Sequence, residues 1–204
     1  MKKIYRFAEA AAVIVVLQAL RILLEAVIEP LVPDTEFSRR MTTMAVMLVL
    51  AAAVALYSRI TKTKLSVFPE SFSKIYVVFT VISALLLITT PAHFTQGITA
   101  IMLSVYGSIV TPVFEELVFR GYLWNRLNDV LAKKAYTYIA SVALFGIWHL
   151  GYMLPQLAAG ELEPVIWKLA AGIGYGAVLG ALRMKTNNCY STMLLHGVIN
   201  IFMI

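Results

Sequence analysis

The chain has 204 residues, 60% of them apolar and 14% charged, with a net charge of +6. A soluble domain is about 45–50% apolar and about 25% charged, so composition excludes an ordinary soluble enzyme and points to an all-α, polytopic membrane helix bundle. The basic residues fall in short segments between apolar runs, a pattern of topology determinants and not of a phosphate-binding surface, and no nucleic-acid partner is expected.

Seven apolar runs are long enough to cross a bilayer, or nearly so, at about 20 residues per crossing. They cover 7–29, 41–58, 74–92, 98–120, 135–154, 164–182 and 189–204, and residues 1–204 are expected to form a single integral membrane domain. Lys2, Lys3 and Arg6 ahead of the first run imitate a signal peptide. The run outlasts a normal signal core and lacks a small-residue cleavage site, so a retained helix is expected. Within it Arg21 and Glu25 stand at i,i+4, spacing that lets them neutralise each other, with Glu29 one turn on; the functional alternative is that they line a cavity. The segment 59–73, with Pro69 and several Lys, Ser and Thr, is expected to be a solvated connector. His93, beside Pro91, has no polar company and is read as structural.

The fourth run contains Thr111-Pro112-Val113-Phe114-Glu115-Glu116-Leu117-Val118-Phe119-Arg120. Ionisable groups at this depth cost several kcal/mol, of order ~3, unless paired or facing a wet cavity, so they mark function. Successive residues on a helix are about 100° apart, so Glu115 and Glu116 are expected to face different ways. Glu116 and Arg120 are in the favourable acid-before-base order and are expected to pair. That leaves Glu115 as the carboxylate suited to general-base work. Pro112 is expected to kink the helix. Residues 121–131 alternate apolar and polar, and are expected to lie amphipathically at the inner interface.

The fifth run carries His149. In the sixth, Gly172, Gly176 and Gly180 put small residues on one face, which suits close helix packing at the centre of the bundle. Cys189, the single cysteine, rules out an intramolecular disulfide and is expected to be a buried, inert thiol. In the last run His196 and Asn200 share a helix face, and two donors converging on one point could hold an oxyanion. Counted by side, twelve basic residues (Lys2, Lys3, Arg6, Arg59, Lys62, Lys64, Lys74, Arg126, Lys133, Lys134, Arg183, Lys185) face two (Arg39, Arg40). This places the N-terminus in the cytoplasm and the C-terminus outside. Measured from the basic segments at 1.5 Å per residue, His196, Glu115 and His149 would lie about 9, about 16 and about 21 Å deep, which only tilted helices or a shifted fifth span would reconcile.

Glu115-Glu116-x-x-x-Arg120, Phe145-x-x-x-His149 and His196-x-x-x-Asn200 resemble, in order and spacing, the three motifs of the CPBP intramembrane protease family. That family holds the type II CAAX prenyl endopeptidases, the abortive-infection-like proteins and the bacteriocin self-immunity proteins. The resemblance covers about 98–204, with the constellation on spans 4, 5 and 7. It implies an intramembrane endopeptidase acting on a membrane-associated peptide or protein. Glu115, helped by His149, would activate water; His196 and Asn200 would hold the oxyanion; Glu116 and Arg120 would support the site. Family members are commonly labelled metalloproteases, and Glu115, His149 and His196 could ligate a divalent metal such as zinc; a metal-independent glutamate mechanism is equally open. Two other functions fit the residues: a non-catalytic membrane immunity or scaffold protein of the same fold, and a transporter relaying protons through Glu and His.

Overall fold

The computed structural model describes residues 2–89 and 97–203, with side chains over 5–89 and 97–202. Among these residues the chain is helical without strands: α1 (Lys2–Ile28), α2 (Glu36–Ile60), α3 (Lys74–Ile88), α4 (Gly97–Val130), α5 (Lys134–Trp148), the short α6 (Leu154–Ala158), α7 (Leu162–Thr186) and α8 (Tyr190–Met203). Among the described residues, four helices are long and apolar enough to cross a membrane, namely Tyr5–Leu31, Glu36–Ile60, Gly97–Val130 and Leu162–Thr186. Lys74–Ile88 and Tyr190–Phe202 are apolar but shorter. The chain is a membrane protein. His93 and the end of the run 74–92 lie outside the described residues.

The fifth run departs from expectation. Its helix is only 15 residues long, about 22 Å against a hydrocarbon core of about 30 Å. It gives way at His149 to a 3-10 turn, His149–Tyr152. His149 therefore sits at the end of α5 and not inside a regular helix.

The centre of the molecule is α4, one continuous helix that changes pitch twice. A π turn over Tyr106–Val110 and another over Leu117–Leu123 flank the α-helical Thr111–Glu116. Pro112 explains the first, since its ring would clash with the carbonyl four residues back and it has no N–H to donate. The Thr111 N–H reaches back to the Tyr106 carbonyl, and the Thr111 hydroxyl donates to the same oxygen at 3.0 Å.

The stretch 121–131 is not an interfacial amphipathic piece. It continues α4 to Val130: Tyr122 and Leu123 are fully enclosed and Arg126 is 8% exposed, and only Asn128 and Asp129 near its end are exposed. Its polar groups find partners inside the protein, which is what permits the burial. Glu9 of α1 accepts from Arg126 at 2.8 Å and from Tyr122 and Tyr57 at 3.1 Å each. Arg183 of α7 is also buried, donating to the Arg120 carbonyl at 2.8 Å and to Asn125 at 3.0 Å. Of the twelve bases counted toward one side, these two are structural anchors.

The connector 59–73 is likewise more than a solvated loop. The carbonyls of Ser66 and Val67 accept from the backbone N–H groups of Cys189 and Tyr190 at 3.0 and 2.8 Å. A helix N-terminus has N–H groups with no partner of its own, so this strap completes the start of α8. The Asn125 carboxamide holds the strap from α4 through the Lys64 carbonyl and the Ser66 hydroxyl.

The glycine face of α7 packs on α5. A methyl group added at Gly176 would lie 3.3 Å from the Val142 backbone, the close approach that only a bare Cα allows. The opposite face is exposed at Ile166, Trp167, Ile173 and Val178. α7 is therefore a rim helix with one packed face and does not occupy the centre, because its apolar outer residues have no protein partner to cover them.

Candidate active site

Glu115 and Glu116 end the α-helical segment of α4, both buried, at 2% and 0% exposure. The rotation between neighbours does separate their carboxylates, yet it sets them around one ring and not toward unrelated surroundings. His196 of α8 lies between them: its Nδ1 is 3.1 Å from Glu116 Oε1, and its Nε2 is 3.9 Å from Glu115 Oε2. A carboxylate only accepts, so the shared proton belongs on Nδ1 and Nε2 is the nitrogen turned toward Glu115.

Arg120 donates from Nη1 to Glu116 Oε1 at 3.0 Å, and both side chains are wholly enclosed. Its Nη2 donates to the Gly176 carbonyl at 3.3 Å, and its guanidinium lies 4.2 Å over the Phe145 ring. Taking a guanidinium out of water costs several kcal/mol, of order ~3 or more, so the carboxylate, the carbonyl and the ring are together what allows it to stay charged there.

His149 donates from Nδ1 to the Phe145 carbonyl, 2.7 Å away, which leaves Nε2 for the site. Its ring stands edge-on to Phe145 at 4.7 Å, and Phe145 in turn stands edge-on to His196 at 6.2 Å. Gly172 makes room for it: a Cβ there would sit 2.8 Å from His149 Nδ1 and 3.2 Å from the Gly146 Cα. Tyr175 closes the other side of His196, with ring centroids 5.3 Å apart.

Asn200 is placed differently from the expected pairing with His196. Its Nδ2 donates to the Gly107 carbonyl at 2.7 Å. In a π turn that carbonyl would look for an N–H five residues on, and residue 112 is a proline without one. The carboxamide thus completes the backbone that Pro112 leaves open, and only its remaining N–H is available elsewhere. Next to it, Gly197 lets α8 touch α4 so closely that a Cβ would collide with the Ser108 carbonyl.

Two contributors carried no motif. Tyr152 donates its hydroxyl to Glu115 Oε1 at 2.9 Å and accepts from Trp148 Nε1 at 3.1 Å. Arg21 of α1 lies 4.2 Å over the Tyr152 ring, pairs with Glu25 at 3.0 Å, and donates to the Gly151 carbonyl at 3.0 Å. Its place as a charge inside an apolar run was the one available signal for Arg21; Tyr152 gave none.

Among the described residues no three His, Cys, Asp or Glu side chains are gathered in a metal-holding arrangement. His196 is engaged with Glu116 and His149 with a backbone carbonyl through Nδ1 alone, and Glu115 with Tyr152 through Oε1, so the two Nε2 atoms and Glu115 Oε2 are the atoms that would hold a divalent metal.

A family model described as Type II CAAX prenyl endopeptidase Rce1-like matches residues 95–202, the stretch that holds Glu115, Glu116, Arg120, His149, His196 and Asn200. No curated protein and no solved structure matches the chain.

Proposed function

The chain belongs to the Rce1-like type II CAAX prenyl endopeptidase family, one of the CPBP proteases its motifs resemble, and we propose that it is an intramembrane endopeptidase that cuts a membrane-associated peptide or protein with an activated water. The observation that carries this is the buried set Glu115–His196–Glu116–Arg120, two carboxylates around one imidazole in a helix that belongs in a bilayer. Such groups are costly there without a task.

In this mechanism Glu115, with His149 beside it, takes a proton from water as the water oxygen attacks the scissile carbonyl carbon. The carbonyl oxygen becomes an oxyanion, held by His196 through a protonated Nε2 and by the second N–H of Asn200. Collapse breaks the C–N bond, and the proton on Glu115 passes to the leaving amine. Glu116 holds the His196 Nδ1–H and is itself neutralised by Arg120. We further propose seven membrane-embedded segments with the N-terminus cytoplasmic and the C-terminus outside, the short α3, α5 and α8 completing the set, and a site reached from the cytoplasmic side. Among the described side chains, the eight exposed bases of that set (Arg6, Arg59, Lys62, Lys64, Lys74, Lys133, Lys134 and Lys185) support it.

Glu115→Gln keeps the shape and removes the base, and is expected to lower cleavage about 10²–10⁴-fold with the fold intact. Comparing the membrane proteomes of cells carrying wild type and Glu115→Gln reads this directly: peptides that disappear in the variant name the substrates. An internally quenched prenylated CAAX peptide is the in vitro probe that the family suggests. Full activity in the variant would sink the proposal.

A further inference from the structure

Tyr152 lies three residues after His149, and in a 3-10 turn side chains three apart eclipse each other. The two rings stand side by side, 5.8 Å centroid to centroid, and the Tyr152 hydroxyl reaches Glu115. The direction of the Tyr152 hydrogen bond is fixed without ambiguity. The Trp148 indole can only donate and a carboxylate can only accept, so the phenol receives from Trp148 and gives its proton to Glu115 Oε1. Trp148 is itself immobilised, 2% exposed and packed against Phe114 and Phe119. On the ring's face sits Arg21, anchored at one end by Glu25 and at the other by the Gly151 carbonyl.

We infer that Tyr152 is a positioning residue for Glu115, and that Arg21 of α1 holds it in place; this rests on Glu115 being the general base. A carboxylate turns about its last bond and presents either oxygen. Tied at Oε1 by Tyr152, Glu115 presents Oε2, the oxygen 3.9 Å from His196 Nε2, to the attacking water. The first helix, which precedes the family match at 95–202, thereby contributes to the geometry of the base.

The test is Tyr152→Phe, which keeps the ring beneath Arg21 and removes only the donor. Infrared difference spectroscopy on the purified protein, with the Glu115 carboxylate band located by subtraction of Glu115→Gln, needs no substrate. The band is expected to move in Tyr152→Phe, and an unmoved band overturns the inference. On the peptide whose cleavage Glu115→Gln abolishes, kcat is expected to fall about 10–100-fold with KM changed less than about twofold, since misplacing a reacting group by about 1 Å costs up to about 10²-fold. Thermal unfolding is expected to stay within a few degrees of wild type, roughly the effect of one hydrogen bond. A kcat within about twofold of wild type, with Glu115→Gln inactive, overturns the positioning role and leaves the protease reading standing. Glu115→Gln at full activity overturns both.

Discussion

Two i,i+4 ion pairs are linked to Glu115, one through His196 and the other through Tyr152, and they differ in what surrounds them. Glu116–Arg120 on α4 has both side chains at 0% exposure, and Glu116 is bonded directly to His196. Arg21–Glu25 on α1 runs base before acid, its Glu25 end is 15% exposed, and it reaches Glu115 only through the Tyr152 ring. Identical spacing along a helix thus yields an enclosed pair that is part of the site's hydrogen bonding and a half-open pair that braces one of its walls. The difference arises because α4 packs against α1, α2, α5 and α8 and is hydrogen-bonded to α7, whereas α1 leaves Val15, Val16 and Leu23 exposed.

Breaking the enclosed pair is expected to have the largest effect. Arg120→Met strands the Glu116 charge and should cost about 3–5 kcal/mol, read as a lower unfolding midpoint in detergent, together with loss of cleavage. The double variant Glu116→Met, Arg120→Met sharpens the comparison. Replacing both charges with apolar groups should recover most of that stability, while cleavage stays absent because His196 Nδ1 loses its acceptor. Recovery of cleavage would show that Glu116 is dispensable to the site.

Gly172→Ala perturbs the site without touching either pair. The new methyl meets the His149 ring and the Gly146 backbone, both held on one helix, so an overpacking cost of about 1–3 kcal/mol and reduced cleavage are expected. A wild-type cleavage rate would show that His149 need not stay where it is. Arg21→Met, on the half-open pair, should cost about 1–2 kcal/mol from the lost guanidinium–ring contact and reduce cleavage only partly, since the Tyr152 hydroxyl remains. Smallest of all, Arg6→Ala removes a pair with Asp129 that is half exposed at both ends. Unfolding and cleavage should match wild type within about 0.5 kcal/mol.

The legibility of the site follows the same division. Glu116 and Arg120 were readable as a pair because four residues make about one helical turn, a relation contained in the chain itself. The same rule placed His196 and Asn200 on one face, yet Asn200 turns out to serve the Gly107 carbonyl, because the π turn that exposes that carbonyl is not visible in spacing alone. The amphipathic look of 121–131 misled for a related reason: Arg126 and Asn125 are polar, but their partners Glu9, Lys64 and Arg183 come from three distant segments.

By itself the sequence determined a membrane-embedded helical protein, the family, and the identity of the pairs formed within one helix, because hydropathy and helical periodicity are local properties. Only the tertiary structure decided that both glutamates flank one histidine and that Tyr152 reaches Glu115. Those outcomes depend on two π turns and one 3-10 turn, which rotate side chains away from their regular positions and are stabilised by partners on other helices.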